Sequence, residues 1–297
     1  MARDIQTVVS GMHFLEGPRW HAGRIWFSDF YSHQVYSARE DGGDLRVEAR
    51  VAQQPSGMGW LPDGRLLIVS MRDRKLLRRE ADGSLVTHAD LSRHAGGHVN
   101  DMVVDGQGRA FVGDFGFDLM GGAPFQPTGL WRVDPDGTVH KVADDLWFPN
   151  GAVITDKGEL RVCETFANRV TAFDIGADGS LSHRRTWAKF GEPPTSTDVG
   201  QAVGQAVVAG DGCCLDAEGA MWIADAVHGR VVQVREGGQI VDEIQPGNGA
   251  FACMLGGADG HTLFICAAPD FHEHARAAAT EARLLAVRVD VPRAGRP

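Results

Sequence analysis

The segment Asp211-Gly-Cys-Cys-Leu215, followed by Gly219-Ala-Met-Trp-Ile-Ala-Asp225, contains the pattern that decides the fold. A polar residue and usually a glycine come first, two positions vary, an apolar residue follows, and a glycine-containing turn then opens an alternating apolar stretch. The pattern recurs at intervals of roughly forty to sixty residues, which indicates an internal structural repeat. Its copies begin at Glu16, Ser56, Asn100, Asn150 and Asp211, and in degenerate form at Phe251.

Each apolar stretch that follows a copy has the composition of a β-strand. The stretches are short, rich in β-branched and aromatic residues, and introduced by turns such as Pro62-Asp-Gly64. A third strand follows in every unit, and in most units an Asp-Gly or Gly-Gly turn leads to a fourth, more polar strand. We therefore predict an all-β fold: a six-bladed β-propeller of four-stranded antiparallel blades, formed by residues 1–297 as one domain.

The two ends of the chain complete this count. The sixth unit lacks its fourth strand, while an unassigned strand, Asp4-Ile-Gln-Thr-Val-Val-Ser10, precedes the first copy. Placing this N-terminal strand on the last blade closes the ring and removes an exposed strand edge.

Equivalent positions in the blades of a propeller converge on its axis, so four oxygen-bearing side chains should meet there. These are Glu16, Asn100, Asn150 and Asp211. Two carboxylates and two amides form an all-oxygen site, which favours one divalent cation, first Ca²⁺, with Mg²⁺, Mn²⁺, iron or Zn²⁺ as alternatives. Positions left open on the ion would accept water and substrate. The alternatives are that these residues serve only backbone hydrogen bonds in turns, or that the ion is structural.

Two long loops are candidates for the rim of this site. Residues 191–210 lead directly into Asp211, and residues 117–128 form a second long connection. Long loops in compact domains tend to be functional, so we expect both to lie at the end of the axis where the polar cluster lies.

Composition limits the partners. The formal net charge of −10 argues against a nucleic-acid surface, because phosphate binding needs clustered Lys and Arg. No segment has the length and apolarity of a signal peptide or a membrane span. The five cysteines contain no C-x-x-C pair and do not form an even set, so we expect a reducing cytoplasmic location.

Four segments resemble, in order, the motifs of the gluconolactonase/regucalcin (senescence marker protein) family. They are Glu16-Gly-Pro-Arg-Trp20, Asn100-Asp101, Phe148-Pro-Asn-Gly151 and Asp211–Gly219. The resemblance implies a divalent metal held by Glu16, Asn150 and Asp211, with Asn100 completing the site or contacting substrate. It also implies hydrolysis of a lactone, in which the metal polarises the carbonyl and Asp211 activates water as the general base. Direct attack by a carboxylate is the rival mechanism.

One departure from the family pattern bears on the substrate. Sugar-lactone members commonly have Arg where this chain has His98, and nearby positions are aromatic. We therefore predict that His98, Asn100, Phe115 and Trp147 bind substrate, and that it is a less hydroxylated lactone or ester than gluconolactone. The alternatives are an organophosphate hydrolase of the diisopropyl fluorophosphatase type and a non-catalytic metal-binding scaffold. We interpret His272-Glu273-His274 as a solvated loop.

Overall fold

The computed structural model describes residues 3–297 and contains six sheets arranged as the blades of a β-propeller. The first strand, β1 (Ile5–Met12), belongs to the last blade. Blade 1 is formed by β2 (Leu15–His21), β3 (Arg24–Asp29), β4 (Gln34–Ala38) and β5 (Arg46–Arg50). Blade 2 is formed by β6 (Pro55–Trp60), β7 (Leu66–Ser70), β8 (Lys75–Arg79) and β9 (Leu85–Asp90). Blade 3 is formed by β10 (Val99–Val104), β11 (Ala110–Asp114), β12 (Thr128–Val133) and β13 (Val139–Leu146).

The second half of the chain repeats this order and adds two short helices. Blade 4 is formed by β14 (Pro149–Ile154), β15 (Glu159–Glu164), β16 (Arg169–Ile175) and β17 (Leu181–Lys189). After α1 (Val199–Gly204), blade 5 is formed by β18 (Gly210–Asp216), β19 (Met221–Asp225), β20 (Arg230–Val234) and β21 (Ile240–Ile244). Blade 6 is formed by β22 (Gly249–Gly256), β23 (Thr262–Ala268), β24 (Ala282–Arg288) and β1, with α2 (Glu273–Ala278) between β23 and β24. The predicted fold class is confirmed.

Both ends of the chain close the ring. Strand β1 pairs antiparallel with β24, as predicted, so that N-terminal and C-terminal strands share the last blade. The C-terminal residues add a feature that the sequence did not predict: β25 (Arg293–Ala294) pairs with the innermost strand β18 as a fifth strand of blade 5. Arg296 then exchanges two backbone hydrogen bonds with Ile154 of blade 4 (2.8 and 2.9 Å). The C-terminal tail therefore bonds to both β14 and β18, the innermost strands of blades 4 and 5.

Burial decreases from the axis outwards. Every residue of β10, β14 and β18 is buried, whereas the outermost strands β5, β13 and β21 are largely exposed or half-buried. The innermost strands come so close that glycine is required between them. A Cβ added to Gly151 would lie 2.4 Å from the Asp211 carbonyl oxygen, and one added to Gly212 would lie 2.4 Å from the Ala252 Cβ.

An acidic residue ends the second strand in four blades, and its role is structural. These residues are Asp29, Asp114, Glu164 and Asp225, each with a relative accessibility of 0%. Glu164 accepts a hydrogen bond from the Trp147 backbone N–H (2.8 Å), and Asp225 accepts one from the Ala209 backbone N–H (3.1 Å). Each acid thus fixes the segment that enters an innermost strand, and so fixes the start of that strand.

Among residues 3–297, no helix is long and apolar enough to cross a membrane. All five cysteines are buried and free.

Candidate active site

A β-bulge lies near the start of the innermost strand in every blade. In five blades the register between the first and second strands shifts at the repeated polar residue or its equivalent, and in blade 1 it shifts directly after Glu16. The residues at this position are Glu16, Ser56, Asn100, Asn150, Asp211 and Phe251. A bulge breaks the in–out alternation of a strand and re-aims a side chain. Glu16, Asn100, Asn150 and Asp211 line one cavity, so the predicted convergence of these four residues occurs.

A chain of hydrogen bonds orients the two amides. Asn100 Nδ2 donates to Asn150 Oδ1 (2.8 Å), and Asn150 Nδ2 donates to Thr165 Oγ1 (3.1 Å). Ser56 Oγ donates to Asn100 Oδ1 (3.2 Å), and Thr165 Oγ1 donates to the Gly210 carbonyl (2.9 Å). Each amide oxygen accepts one hydrogen bond here and retains a second lone pair for another partner.

The two carboxylates of the ring are buried and lack a cationic partner. Glu16 and Asp211 are each only 9% exposed, and neither forms an ion pair with Lys or Arg within residues 3–297. Burial raises the pKa of Glu16 well above its usual value, and the charge of Asp211 raises it further. Burial also raises the pKa of Asp211, and the negative charge of Asp101 raises it further. Such carboxylates are costly to bury as anions unless a cation approaches them.

The donor set fits a hard divalent cation. Two carboxylates match a charge of +2, and the two amides add neutral oxygens, which are the ligands that Ca²⁺ and Mg²⁺ prefer. No group of three or more His, Cys, Asp or Glu side chains is arranged to hold a metal ion anywhere in the described chain. A site at this ring would therefore depend on Asn100 and Asn150 as well as on the two acids.

An ion pair that the sequence analysis missed lies next to the ring. Arg19 Nη2 donates to Asp101 Oδ1 (2.6 Å), and both side chains are less than one tenth exposed. The two residues are 82 positions apart in the chain, so no local pattern could pair them. The available signal was that Asp101 stands where most other copies have glycine.

The cavity above the ring is small and mostly apolar, with a volume of about 160 Å³. Its walls contain seven phenylalanines: Phe14, Phe30, Phe115, Phe148, Phe166, Phe251 and Phe271. Several of these rings contact one another; the centroids of Phe115 and Phe148, for example, are 4.5 Å apart at an interplanar angle of 64°. Most of the wall is thus apolar, and the polar residues outside the ring are few, among them Gln54, His98 and Glu273, so the cavity favours a largely apolar ligand.

Both predicted rim loops border this cavity. Val199 and Val203 of α1 represent the 191–210 segment, and Leu119 and Met120 represent the 117–128 loop. The two loops contact each other, because the Phe125 backbone N–H donates to the Thr197 carbonyl (2.8 Å).

Comparison with known proteins assigns the family. The sequence profile described as "SMP-30/Gluconolactonase/LRE-like region" matches residues 14–269. The chain belongs to the SMP-30/gluconolactonase/LRE-like family. The pentonolactonase XacC of Haloferax volcanii is 28% identical over 260 residues, which cover 85% of this chain and 81% of that protein. Lactonase drp35 of Staphylococcus epidermidis is 26% identical over 239 residues, covering 77% and 69%.

A solved structure shares the fold of this family member. The calcium-binding protein regucalcin of Agrobacterium tumefaciens superposes with a TM-score of 0.79 at 19% identity, covering 100% of this chain and 97% of that one. The family and the class of lactone hydrolase predicted from the sequence are confirmed by these matches.

The predicted substrate-binding residues of this family member do not all reach the cavity. His98, Asn100 and Phe115 line it. Burial lowers the pKa of His98, and the charge of Arg72 lowers it further, so the neutral imidazole is favoured. Trp147 is not among the residues that line the cavity, and its ring packs against Phe125 (centroids 5.0 Å apart). The next residue, Phe148, has a left-handed backbone (φ 58°) and lines the cavity instead.

The interpretation of residues 272–274 as a solvated loop is wrong for residues 273 and 274, which lie in a short helix. Glu273 begins helix α2, and Glu273 and Phe271 both border the cavity. His272 precedes this helix and His274 lies on it, and both are exposed. Glu273 forms an ion pair with Arg72 of blade 2, so α2 joins the rim across the top of blade 1.

Proposed function

We propose that this protein is a divalent-cation-dependent lactonase whose cation is held by Glu16, Asn100, Asn150 and Asp211. The observation that carries the proposal is that these four side chains, two of them buried carboxylates that form no ion pair with Lys or Arg within residues 3–297, line one largely apolar cavity. A non-catalytic scaffold would not need a cavity at the four-residue ring.

Ca²⁺ is the first choice of cation. All four donors are oxygens, and the related regucalcin of Agrobacterium tumefaciens is described as calcium-binding. Mg²⁺ and Mn²⁺ also accept oxygen ligands, whereas Zn²⁺ and iron commonly bind nitrogen or sulfur donors, which this ring lacks.

The residues of the chain divide the chemistry between them. When bound, the cation supplies Lewis-acid polarisation of the lactone carbonyl. Asp211 accepts a proton from the attacking water at a carboxylate oxygen. Asn100 and Asn150 are held in place by their hydrogen bonds to Ser56 and Thr165. The phenylalanine walls limit the access of bulk water, which strengthens electrostatic interactions at the reacting carbonyl.

The substrate we propose is a lactone with an aliphatic or aromatic substituent. A sugar lactone would place several hydroxyls against phenyl rings, and each buried hydroxyl without a partner costs about 1–3 kcal/mol. An apolar substituent in the same place gains about 25 cal/mol per Å² of buried apolar surface. The chain would then differ in substrate from its relative named pentonolactonase.

Two further parts of the proposal concern the whole chain. We propose that residues 1–297 form a single domain, because the N-terminal strand completes the last blade. We also propose a reducing, cytoplasmic location, in which the five buried free thiols would persist.

A cation-by-substrate matrix tests this function. Chelator-treated protein would be assayed with Ca²⁺, Mg²⁺, Mn²⁺ and Zn²⁺ on sugar, alkyl and aryl lactones, a linear aryl ester and a phosphotriester. We expect no turnover without cation, recovery with Ca²⁺, and the highest kcat/KM on an apolar lactone. Absence of turnover on every compound contradicts the proposal that the protein is an enzyme. A preference for the phosphotriester contradicts lactonase activity, and a preference for sugar lactones contradicts the proposed apolar substrate.

Single-turnover hydrolysis in ¹⁸O-labelled water separates the two roles of Asp211. If Asp211 is the general base, label enters only the product acid. If the carboxylate attacks directly, it forms a mixed anhydride with the opened lactone; water that opens this anhydride at the Asp211 carbonyl leaves label in the Asp211 side chain, which mass spectrometry of the proteolysed protein detects.

A further inference from the structure

We infer that Arg19 is a positioning residue for the cation site: together with Asp101 it forms an internal counter-ion pair that sets the net charge of the ring. This inference rests on the proposed function, because it concerns the same site.

Arg19 connects the innermost strands of three blades. Its Nη1 donates to the Pro18 carbonyl in blade 1 (2.8 Å), and its Nε donates to the Met58 carbonyl in blade 2 (3.0 Å). Its Nη2 donates to Asp101 Oδ1 (2.6 Å) and to the Met102 carbonyl in blade 3 (2.7 Å). The residue is only 2% exposed, so these contacts take the place of water on four of the five guanidinium N–H groups. One guanidinium thus fixes the spacing of three of the six innermost strands.

Asp101 occupies a position that is glycine in four of the other blades. Blades 1, 2, 4 and 5 have glycine after the polar residue, and a Cβ on Gly57 would lie 2.3 Å from Asp101 Oδ1. The carboxylate therefore fills the space above Gly57, next to the ring. Asp101 directly follows Asn100 in the chain, so its charge lies beside the proposed cation site.

The charges around the axis then balance a divalent ion. Glu16, Asp211 and Asp101 contribute three negative charges, and Arg19 contributes one positive charge, which leaves a net charge of minus two. Loss of Arg19 leaves minus three, loss of the Asp101 charge leaves minus one, and loss of both restores minus two. A charge effect therefore predicts opposite changes for the two single variants, whereas a merely structural clamp predicts the same change for both.

The test is a double-mutant cycle in cation affinity. Apo wild type, Arg19→Met, Asp101→Asn and the double variant would be titrated with Ca²⁺ by calorimetry, without substrate. We expect Asp101→Asn to weaken binding and Arg19→Met to tighten it, each by about tenfold, with the double variant within about threefold of wild type. In Arg19→Met, kcat should fall although the cation binds more tightly, because the added negative charge opposes charge that develops on the carbonyl oxygen.

Two controls keep the result interpretable. Arg19→Lys retains the charge and loses the three-blade contacts, so it should lower thermal stability and leave Ca²⁺ affinity close to wild type. Arg109→Met breaks another buried Arg–Asp pair, with Asp105 (2.6 Å), and should lower stability without changing Ca²⁺ affinity. The inference is overturned if Arg19→Met and Asp101→Asn change the Ca²⁺ affinity in the same direction, or if Arg109→Met changes it as much as Arg19→Met does. Either result leaves the proposed function standing. Failure of wild type to bind any cation overturns both.

Discussion

The Asp211→Asn substitution tests whether the ring is built for a cation rather than for stability. Asp211 is buried, forms no ion pair with Lys or Arg in the described chain, and lies beside Asn150 and Asp101. Asparagine keeps nearly the same shape and one oxygen, but removes the charge and the base. The variant should therefore be more stable than wild type when no cation is bound, and much less active when cation is present.

The magnitude follows from burial. Leaving a buried polar group unpaired costs about 1–3 kcal/mol, and more for a charge, so apo Asp211→Asn should gain at least about 1 kcal/mol in the free energy of unfolding at pH 8. Burial raises the pKa of Asp211, so protonation favours the folded state. The ionised carboxylate therefore does not destabilise wild type below the pKa that Asp211 has in the unfolded chain, and it destabilises wild type increasingly as the pH rises above that value. The stability advantage of Asp211→Asn should accordingly be smaller at pH 5 than at pH 8. Removal of a general base should lower kcat by about 10²–10⁴-fold.

Urea unfolding of chelator-treated proteins at pH 5 and pH 8 measures this difference. Asp216→Asn is the matched control on the same strand, because Asp216 is also buried (1% exposed) but accepts hydrogen bonds from Glu218 N, Ala220 N and Gln233 Nε2. This control should lose stability at both pH values. If apo Asp211→Asn is no more stable than wild type at pH 8, or if its gain does not depend on pH, the reasoning about an unpaired charge is wrong.

Three other predictions follow from the same geometry. Because the pKa values of Glu16 and Asp211 are raised, cation binding should release protons, and the Ca²⁺ affinity should rise with pH. Calorimetry in buffers of different ionisation enthalpy measures the number of protons released. An affinity that does not change with pH contradicts this prediction. Phe148→Ala should lower kcat/KM for an aryl lactone by about 10–100-fold relative to an unsubstituted one, and Trp147→Ala should leave that ratio unchanged. Gly212→Ala should lower the free energy of unfolding by about 1–3 kcal/mol, because its Cβ would lie 2.4 Å from the Ala252 Cβ; Gly204→Ala, with open space, should not.

The sequence predicted the ring because propeller geometry converts spacing into position. Glu16 and Asp211 are far apart in the chain, yet each opens a copy of the same repeat, and symmetry alone brings equivalent positions to the axis. The alternating strands between the copies are also a local signal, so the blade count could be read from the sequence. The 191–210 segment could be placed for the same reason, because it leads directly into Asp211.

Features that depend on local backbone geometry or on contacts between blades could not be predicted in this way. Trp147 and Phe148 are adjacent aromatics, and only the left-handed φ of Phe148 decides which of them lines the cavity. Helix α2 is only six residues long, so a helical period has too few turns to stand out from the polar sequence around Glu273. The pairing of Arg19 with Asp101 connects blade 1 with blade 3, and no periodic pattern in the sequence indicates it.

The bulge explains why one repeat can serve both stability and chemistry. A regular innermost strand must alternate its side chains between neighbouring blades, and there a carboxylate would be buried against apolar residues. The register shift in each blade releases one residue from that alternation at the end of the strand, so Glu16 and Asp211 can face the axis while Leu15 and Leu215 stay in the core. Glycine after the polar residue then lets adjacent strands approach closely enough for the four oxygens to share one site. In blade 3 the same position has Asp101 instead, and this exchange brings a third negative charge to the axis and with it the need for Arg19.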